Sequence, residues 1–166
     1  MRYLILGVVV CVGVIVGPMV QAQAPAADPQ MMAPITRFME AFNKGDMAGA
    51  AATHTPGADL VIIDEVPPFR WQGAQAFQAW SAALDADSKK KGDTDQNVTI
   101  SAPTRVESNG TDAYVVVPAV FTFKNKGIAM RENAQMTFVL KKGNSGWLIF
   151  GWTWTGPRPQ KAGAAK

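Results

Sequence analysis

An α+β fold, with about three helices in its first half packed on one face of a curved, mostly antiparallel sheet, is what this sequence predicts. Two patterns carry the prediction. Apolar residues recur at three- and four-residue steps in the first half of the chain, the spacing that gives a helix one apolar face. From residue 97 onward they lie instead in segments rich in β-branched and aromatic residues, with glycine- and asparagine-containing turns between them. Helices in one block and a meander of strands in another segregate the helices to one side of the sheet.

The elements follow in order. From Pro29, the residues Met32, Ile35, Phe38, Met39 and Phe42 form one helical face, and Asn43-Lys44-Gly45 closes it, with glycine free to take the left-handed cap. Asp46 caps a short, alanine-rich second helix from Met47 to about Thr53. Leu60–Ile63 reads as a short buried strand. Asp64-Glu65 follows, and Pro67-Pro68 stops the strand from continuing. Phe69–Trp71 can form a brief second strand. Gly73 leads into a third helix over 74–83, where Phe77, Trp80, Ala83 and Leu84 share a face. The charged stretch Asp85–Gln96 reads as a solvated loop.

Four strands are expected after it, over Asn97–Val106, Ala113–Lys124, Ile128–Lys142 and Trp147–Thr155. Asn109-Gly110 suits a tight turn between the first two. Pro118 implies a bulge or bend in the second, because proline lacks a ladder donor. The glycine- and proline-bearing end, 156–166, reads as a disordered tail. Bent strands leave a concave side that three helices do not fill, which favours an apolar pocket.

Composition narrows the class. Arg2, an apolar run from Tyr3 to Val16 and small residues up to Ala22 make a secretory signal peptide over 1–22, with cleavage expected after Ala22. The run falls short of the ~20 apolar residues of a membrane span and is interrupted by Pro18; retention as an anchor is the alternative. A secreted or periplasmic protein without a membrane segment is therefore expected. A flexible, alanine- and proline-rich segment, 23–29, follows. Removing 22 of the 166 residues leaves 144, enough for one domain with a core. The single cysteine, Cys11, leaves with the leader, so packing alone must hold the domain. The net charge of +3 is scattered over loops and ends, with no basic stripe interleaved with aromatics, which disfavours nucleic acid as a partner. One histidine, one cysteine and scattered acids give no metal-ligand spacing, and no phosphate loop, nucleophile elbow or dinucleotide fingerprint is present. No cofactor is expected.

Four segments together resemble the nuclear transport factor 2-like superfamily, which includes steroid isomerases, scytalone dehydratase and the SnoaL-like polyketide cyclases. They are Phe38–Asp46 (FMEAFNKGD), Gly57–Val61 (GADLV), Trp71–Gly73 (WQG) before a helix, and Gly146–Trp154 (GWLIFGWTW). Their order and spacing cover nearly all of 30–155. The resemblance implies a cone-shaped domain and a homodimer through the outer face of the sheet. Counted back from Gly73, the general-base aspartate of the steroid isomerases falls on Asp64. The family's oxyanion tyrosine falls on Phe38, which has no hydroxyl, and its partner acid falls close to Met136. Steroid isomerisation by that mechanism is therefore not expected, and a dehydratase pattern would need more than the one histidine.

Each candidate site residue has two readings. Asp64 is in phase with Leu60 and Ile62, so it is either an inward-facing base or the side-chain cap of the following turn. Glu65 alternates outward into solvent. On the strand that follows Arg131, Glu132 alternates with Ala134, Met136, Phe138 and Leu140 on the concave side. Glu132 is thus an inward acid at a pocket rim or a strand-end ion pair. His54 is either a proton donor or a helix-end hydrogen-bonding group. Trp71, Trp80, Tyr114, Trp152 and Met136 are candidates for lining a pocket, with Arg70 for an anionic ligand; core packing and surface pairing are the alternatives. Trp152 and Trp154 share one side of their strand with Leu148 and Phe150.

Two functions compete within this frame. One is an exported protein binding a hydrophobic small molecule without turnover. The other is a lyase, isomerase or cyclase with Asp64 as base and His54 or Glu132 as acid. Absence of recognisable oxyanion donors favours binding. A protein–protein adaptor working through the outer sheet face is a third reading.

Overall fold

The computed structural model describes residues 28–163. The expected leader lies outside the described residues, as does the flexible segment up to residue 27. Asp28 and Pro29 already belong to the first helix: the Asp28 side chain accepts the Gln30 N–H at 2.9 Å, with Pro29 at the first helical position.

Helix α1 spans Pro29–Asn43 and α2 Met47–Ala51, with Asp46 capping α2 through the Gly49 N–H at 2.8 Å. Strands β1 (Val61–Ile63) and β2 (Arg70–Gln72) form a short hairpin. Helix α3 (Ala76–Lys91) leads to β3 (Asp93–Ile100), β4 (Arg105–Ser108), β5 (Asp112–Asn125), β6 (Ile128–Gly143), β7 (Gly146–Thr155) and β8 (Gln160–Lys161). The main sheet runs β2-β1-β7-β6-β5-β3, with β4 also on β5 and β8 also on β6. Every pairing is antiparallel except β1 with β7. The α+β architecture, with helices against a mostly antiparallel sheet, is as the sequence predicts.

The core lies between the helices and one sheet face. Ile35 and Phe38 of α1 and Phe77 and Trp80 of α3 pack on Val115, Val117, Phe138, Leu140 and Ile149. A double amide contact docks α1: Asn43 donates to the Val98 carbonyl and accepts the Val98 N–H, both at 2.8 Å. One residue at the helix end thus completes the backbone pairing of a strand.

Four local expectations need correction. The stretch from Asp85 is not a loop. Lys89 pairs with Asp85 and Lys91 with Asp87, each at 2.6 Å and four residues apart, so the charges stabilise two further helical turns. Gly92, at φ 76°, ends the helix, and β3 starts at once with Asp93. The single strand expected over 97–106 is two strands, interrupted opposite Pro118. Pro118 itself stays in register with Gln135 and causes no bulge against β6. Its carbonyl accepts the Ser101 N–H at 3.0 Å, so its missing donor faces the gap between β3 and β4, where no partner waits. The expected disordered tail is ordered through residue 163, with Gln160 and Lys161 pairing with Arg131 and Met130.

The fourth correction matters most for the site. A register shift between β6 and β7 leaves Phe150 as an extra residue: Leu140 faces Ile149, while Val139 faces Gly151. An added residue reverses the alternation beyond it. Trp152 and Trp154 therefore share the inner face with Trp147 and Ile149, not the face of Leu148 and Phe150. Gly151 is required at the same place, since a Cβ there would stand 2.9 Å from the Val61 carbonyl oxygen on β1. We expect Gly151→Ala to destabilise the domain by about 1–3 kcal/mol, read from urea unfolding midpoints. An unchanged midpoint would show that β1 yields freely.

Candidate functional site

The inner sheet face, α1 and α3 enclose a cavity of about 430 Å³. Phe38, Met39 and Phe42 of α1 wall it on one side, and Trp80 and Leu84 of α3 on another. The sheet contributes Val98, Phe121, Phe123, Met130, Met136, Trp152 and Trp154, and the turn after β1 contributes Asp64, Glu65 and Val66. The rings pack at angles to one another: Trp80 and Trp152 meet at 5.0 Å and 87°, and Phe121 and Trp154 at 6.1 Å and 81°.

Each of the three tryptophans that line the cavity spends its indole N–H on a nearby acceptor. Trp80 Nε1 donates to Asp64 Oδ2 at 2.6 Å, Trp154 Nε1 to Glu132 Oε1 at 2.9 Å, and Trp152 Nε1 to His54 Nε2 at 3.1 Å. Asp64, Glu132 and His54 are the three residues that the sequence singles out for acid–base work. The structure gives each of them a tryptophan to hold.

Only Asp64 of the three lines the cavity. It also caps the turn, accepting the Glu65 N–H at 2.7 Å. The carboxyl thus faces the cavity and caps the turn at once. Burial raises its carboxyl above the usual range, and the Trp80 hydrogen bond opposes the shift.

His54 is 5% exposed and packs edge-on against Phe38, with ring centroids 4.9 Å apart. Since Nε2 accepts from Trp152, Nδ1 carries the proton and donates to the Ala50 carbonyl at 3.0 Å. Burial lowers its pKa from 6.5 to about 4, so it is neutral at physiological pH. It is a core hydrogen-bonding group behind Trp152, and not a cavity acid.

Glu132 is 1% exposed and sits behind the cavity wall. A Cβ on Gly156 would collide with its Oε1 and stand 2.9 Å from Ala134 Cβ, so the chain after β7 closes over the carboxyl only because residue 156 is glycine. Its Oε2 has no donor. The carboxyl within reach is that of Glu65, and two ionised carboxylates can only accept. A hydrogen bond between them therefore requires that one be protonated. Burial, then the charge of Glu132, pushes Glu65 up to about 7; burial also raises Glu132, which the Trp154 bond opposes. Both shifts favour keeping a proton on the pair.

Glu65 is exposed, as expected, but sequence reasoning missed that it lines the cavity. Outward alternation is valid only while a strand continues, and β1 ends at Ile63. Pro67-Pro68 marked that end, so the signal was present. Among the expected lining residues, Trp80, Trp152 and Met136 line the cavity, and the other three do not. Trp71 is buried against Ile62 on the hairpin, within the core. Tyr114 lies on the outer sheet face, 39% exposed, under the Arg105 guanidinium at 5.4 Å. Arg70 is exposed and donates to Gln72 on its own strand. At the cavity mouth stand Lys91, paired with Asp87 at 2.6 Å, together with Asp93 and Arg158. Among the described residues, no three histidine, cysteine or acidic side chains are placed to hold a metal ion.

The SnoaL-like domain model matches residues 32–153. The chain belongs to the SnoaL-like family. No curated protein matches it. Solved structures share its fold. A ketosteroid isomerase-like protein from Erwinia carotovora atroseptica is 21% identical, with a TM-score of 0.61 over 79% of this chain and 96% of that one. A nuclear transport factor 2-like superfamily protein from Salmonella enterica serovar Typhimurium is 16% identical, with a TM-score of 0.64 over 83% and 96%. A proposed scytalone dehydratase from Novosphingobium aromaticivorans is 11% identical, with a TM-score of 0.63 over 83% and 94%. At these identities the SnoaL-like chain shares their fold, and its site must be read from its own residues.

The raised carboxyls make stability depend on pH. A carboxyl whose pKa rises on folding holds its proton more tightly in the folded chain. The contribution of Glu65 is complete below its unfolded value of 4.5 and is lost as pH rises through about 7. His54 works oppositely, its contribution being complete above 6.5 and lost as pH falls through about 4. Glu65→Gln should therefore flatten the decline in urea midpoint between pH 5 and pH 8. Identical profiles for the two proteins would contradict the shared proton.

Proposed function

We propose that this SnoaL-like protein binds a small molecule with an apolar, ring-sized body in the cavity between α1, α3 and the inner sheet face. The observation that supports this reading most is the state of the indole donors. A cavity of about 430 Å³ falls within the ~300–1,000 Å³ of small-molecule sites, and its rings offer flat apolar surface. Yet all three inner N–H groups are already committed to Asp64, His54 and Glu132. Indole donors aimed at a developing oxyanion are thus lacking, and such donors usually supply the largest catalytic contribution. Binding without turnover follows. The signal-peptide-like sequence over 1–22 supports export as the setting.

The position of Asp64 supports a second reading. A carboxyl inside an apolar cavity, with a raised pKa, is suited to proton abstraction. In that reading the protein is a lyase, isomerase or cyclase with Asp64 as base.

Two measurements separate these readings. The neutral fluorophore 1-N-phenylnaphthylamine should bind and quench tryptophan emission, and Met130→Trp, which fills the cavity mouth, should weaken it by about tenfold. Absence of binding, or indifference to Met130→Trp in a protein with unchanged circular dichroism, would refute the cavity reading. For the second reading, the wild type should exchange deuterium from solvent into cyclohex-2-enone and Asp64→Asn should not. No exchange by the wild type leaves binding as the function.

A further inference from the structure

The charge of the cavity runs against that of the chain. The whole protein carries +3, yet Asp64, Glu65, Asp87 and Asp93 line this cavity against two cations, Lys91 and Arg158. Those cations are placed at the mouth: Lys91 is spent on Asp87 at 2.6 Å, and Arg158 is exposed. Asp64 and Glu65 line the cavity from the turn after β1, and Glu132 lies just behind its wall.

Acids clustered together are commonly a solvated surface. Here they are not. Glu132 is 1% exposed and its Oε2 lacks a donor. It projects from the same face of β6 as Met130 and Met136, both of which line the cavity. A buried acceptor without a partner costs free energy unless something supplies a proton or a positive charge. The cavity in front of it is walled by Trp80, Trp152, Trp154, Phe38 and Phe121, aromatic rings whose faces attract cations. Aromatic walls with acceptors beside them, and donors already consumed, complement one kind of polar group.

We infer that the cavity takes an organic cation, a protonated amine carried on an aromatic or alicyclic body, with the ammonium seated at Asp64 and Glu65, in front of Glu132. This rests on the cavity reading above and names its ligand class. The ammonium, donating to Glu65, displaces the proton that the Glu65–Glu132 pair otherwise keeps, while the rings receive the apolar body. Proton release on binding follows from that exchange. The titratable and charged groups around this site are Asp64 and Glu65 from the β1–β2 turn and Glu132 from β6. Asp87 and Lys91 face it from α3, Asp93 from β3, and Arg158 from the segment after β7. His54 stands behind Trp152 and stays neutral.

The test uses three ligands of one shape and different charge, titrated calorimetrically into the full domain at pH 7. They are tryptamine (cation), tryptophol (neutral) and indole-3-acetate (anion). Tryptamine should bind about tenfold tighter than tryptophol, with indole-3-acetate weakest. Repeating the titration in buffers of different ionisation enthalpy should show protons released with tryptamine and none with tryptophol. Glu132→Gln should bring tryptamine and tryptophol within about threefold of each other, and Glu65→Gln, which changes an exposed position, should do the same if the first variant folds poorly. Tryptophol or indole-3-acetate binding as tightly as tryptamine would overturn the cation inference and leave the cavity reading standing. Failure of all three to bind would overturn it too, and 1-N-phenylnaphthylamine then decides separately whether the cavity reading also falls.

Discussion

Three hydrogen bonds from indole nitrogens to Asp64, His54 and Glu132 set the character of this molecule's interior. Each ties a large ring to a wall of the cavity, and each gives a polar acceptor the donor that burial demands. The acceptors come from three places in the chain: the turn after β1, the end of the α2 region, and β6. The rings come from α3 and β7. The helix layer, the hairpin and the sheet are therefore bound to one another through the site itself. A substitution at any acceptor would disturb a wall as well as a charge.

The same bonds explain why acid–base candidates read from the sequence can mislead. Asp, Glu and His in an apolar neighbourhood suggest chemistry, but they are also what a buried tryptophan needs. Sequence alone shows both partners without showing that they meet, because Trp152 and His54 are 98 positions apart. Once paired, His54 is a neutral structural acceptor. Asp64 keeps its other oxygen on the Glu65 N–H. Glu132 differs from both, since its second oxygen is left over.

Much of the fold was legible because helical and strand periods change cleanly along the chain. What was not legible depends on single residues that shift phase. Phe150 adds one residue to β7 and turns Trp152 and Trp154 from the outer face to the inner one. The end of β1 at Ile63 frees Glu65 from alternation and lets it meet Glu132. Charged residues after Leu84 resembled a loop until their four-residue pairing is counted. Of the site, Asp64, Trp80 and Met136 could be placed from alternation or helical spacing, whereas alternation alone put Trp152 on the wrong face. Tyr114, Arg70 and Trp71 could not, because residue type alone suggested them and neighbours decide which face a residue takes.

The central claim is that Glu65 and Glu132 share one proton behind an aromatic cavity. Carbon-detected magnetic resonance of the side-chain carboxyls, followed from pH 3 to pH 9, tests it most directly. The account predicts that Glu65 titrates near 7, that the Glu132 signal moves in the same steps, and that replacing either by glutamine simplifies the curve of the other to a single step. Both carboxyls titrating independently in the ordinary range near ~4.3 would contradict it.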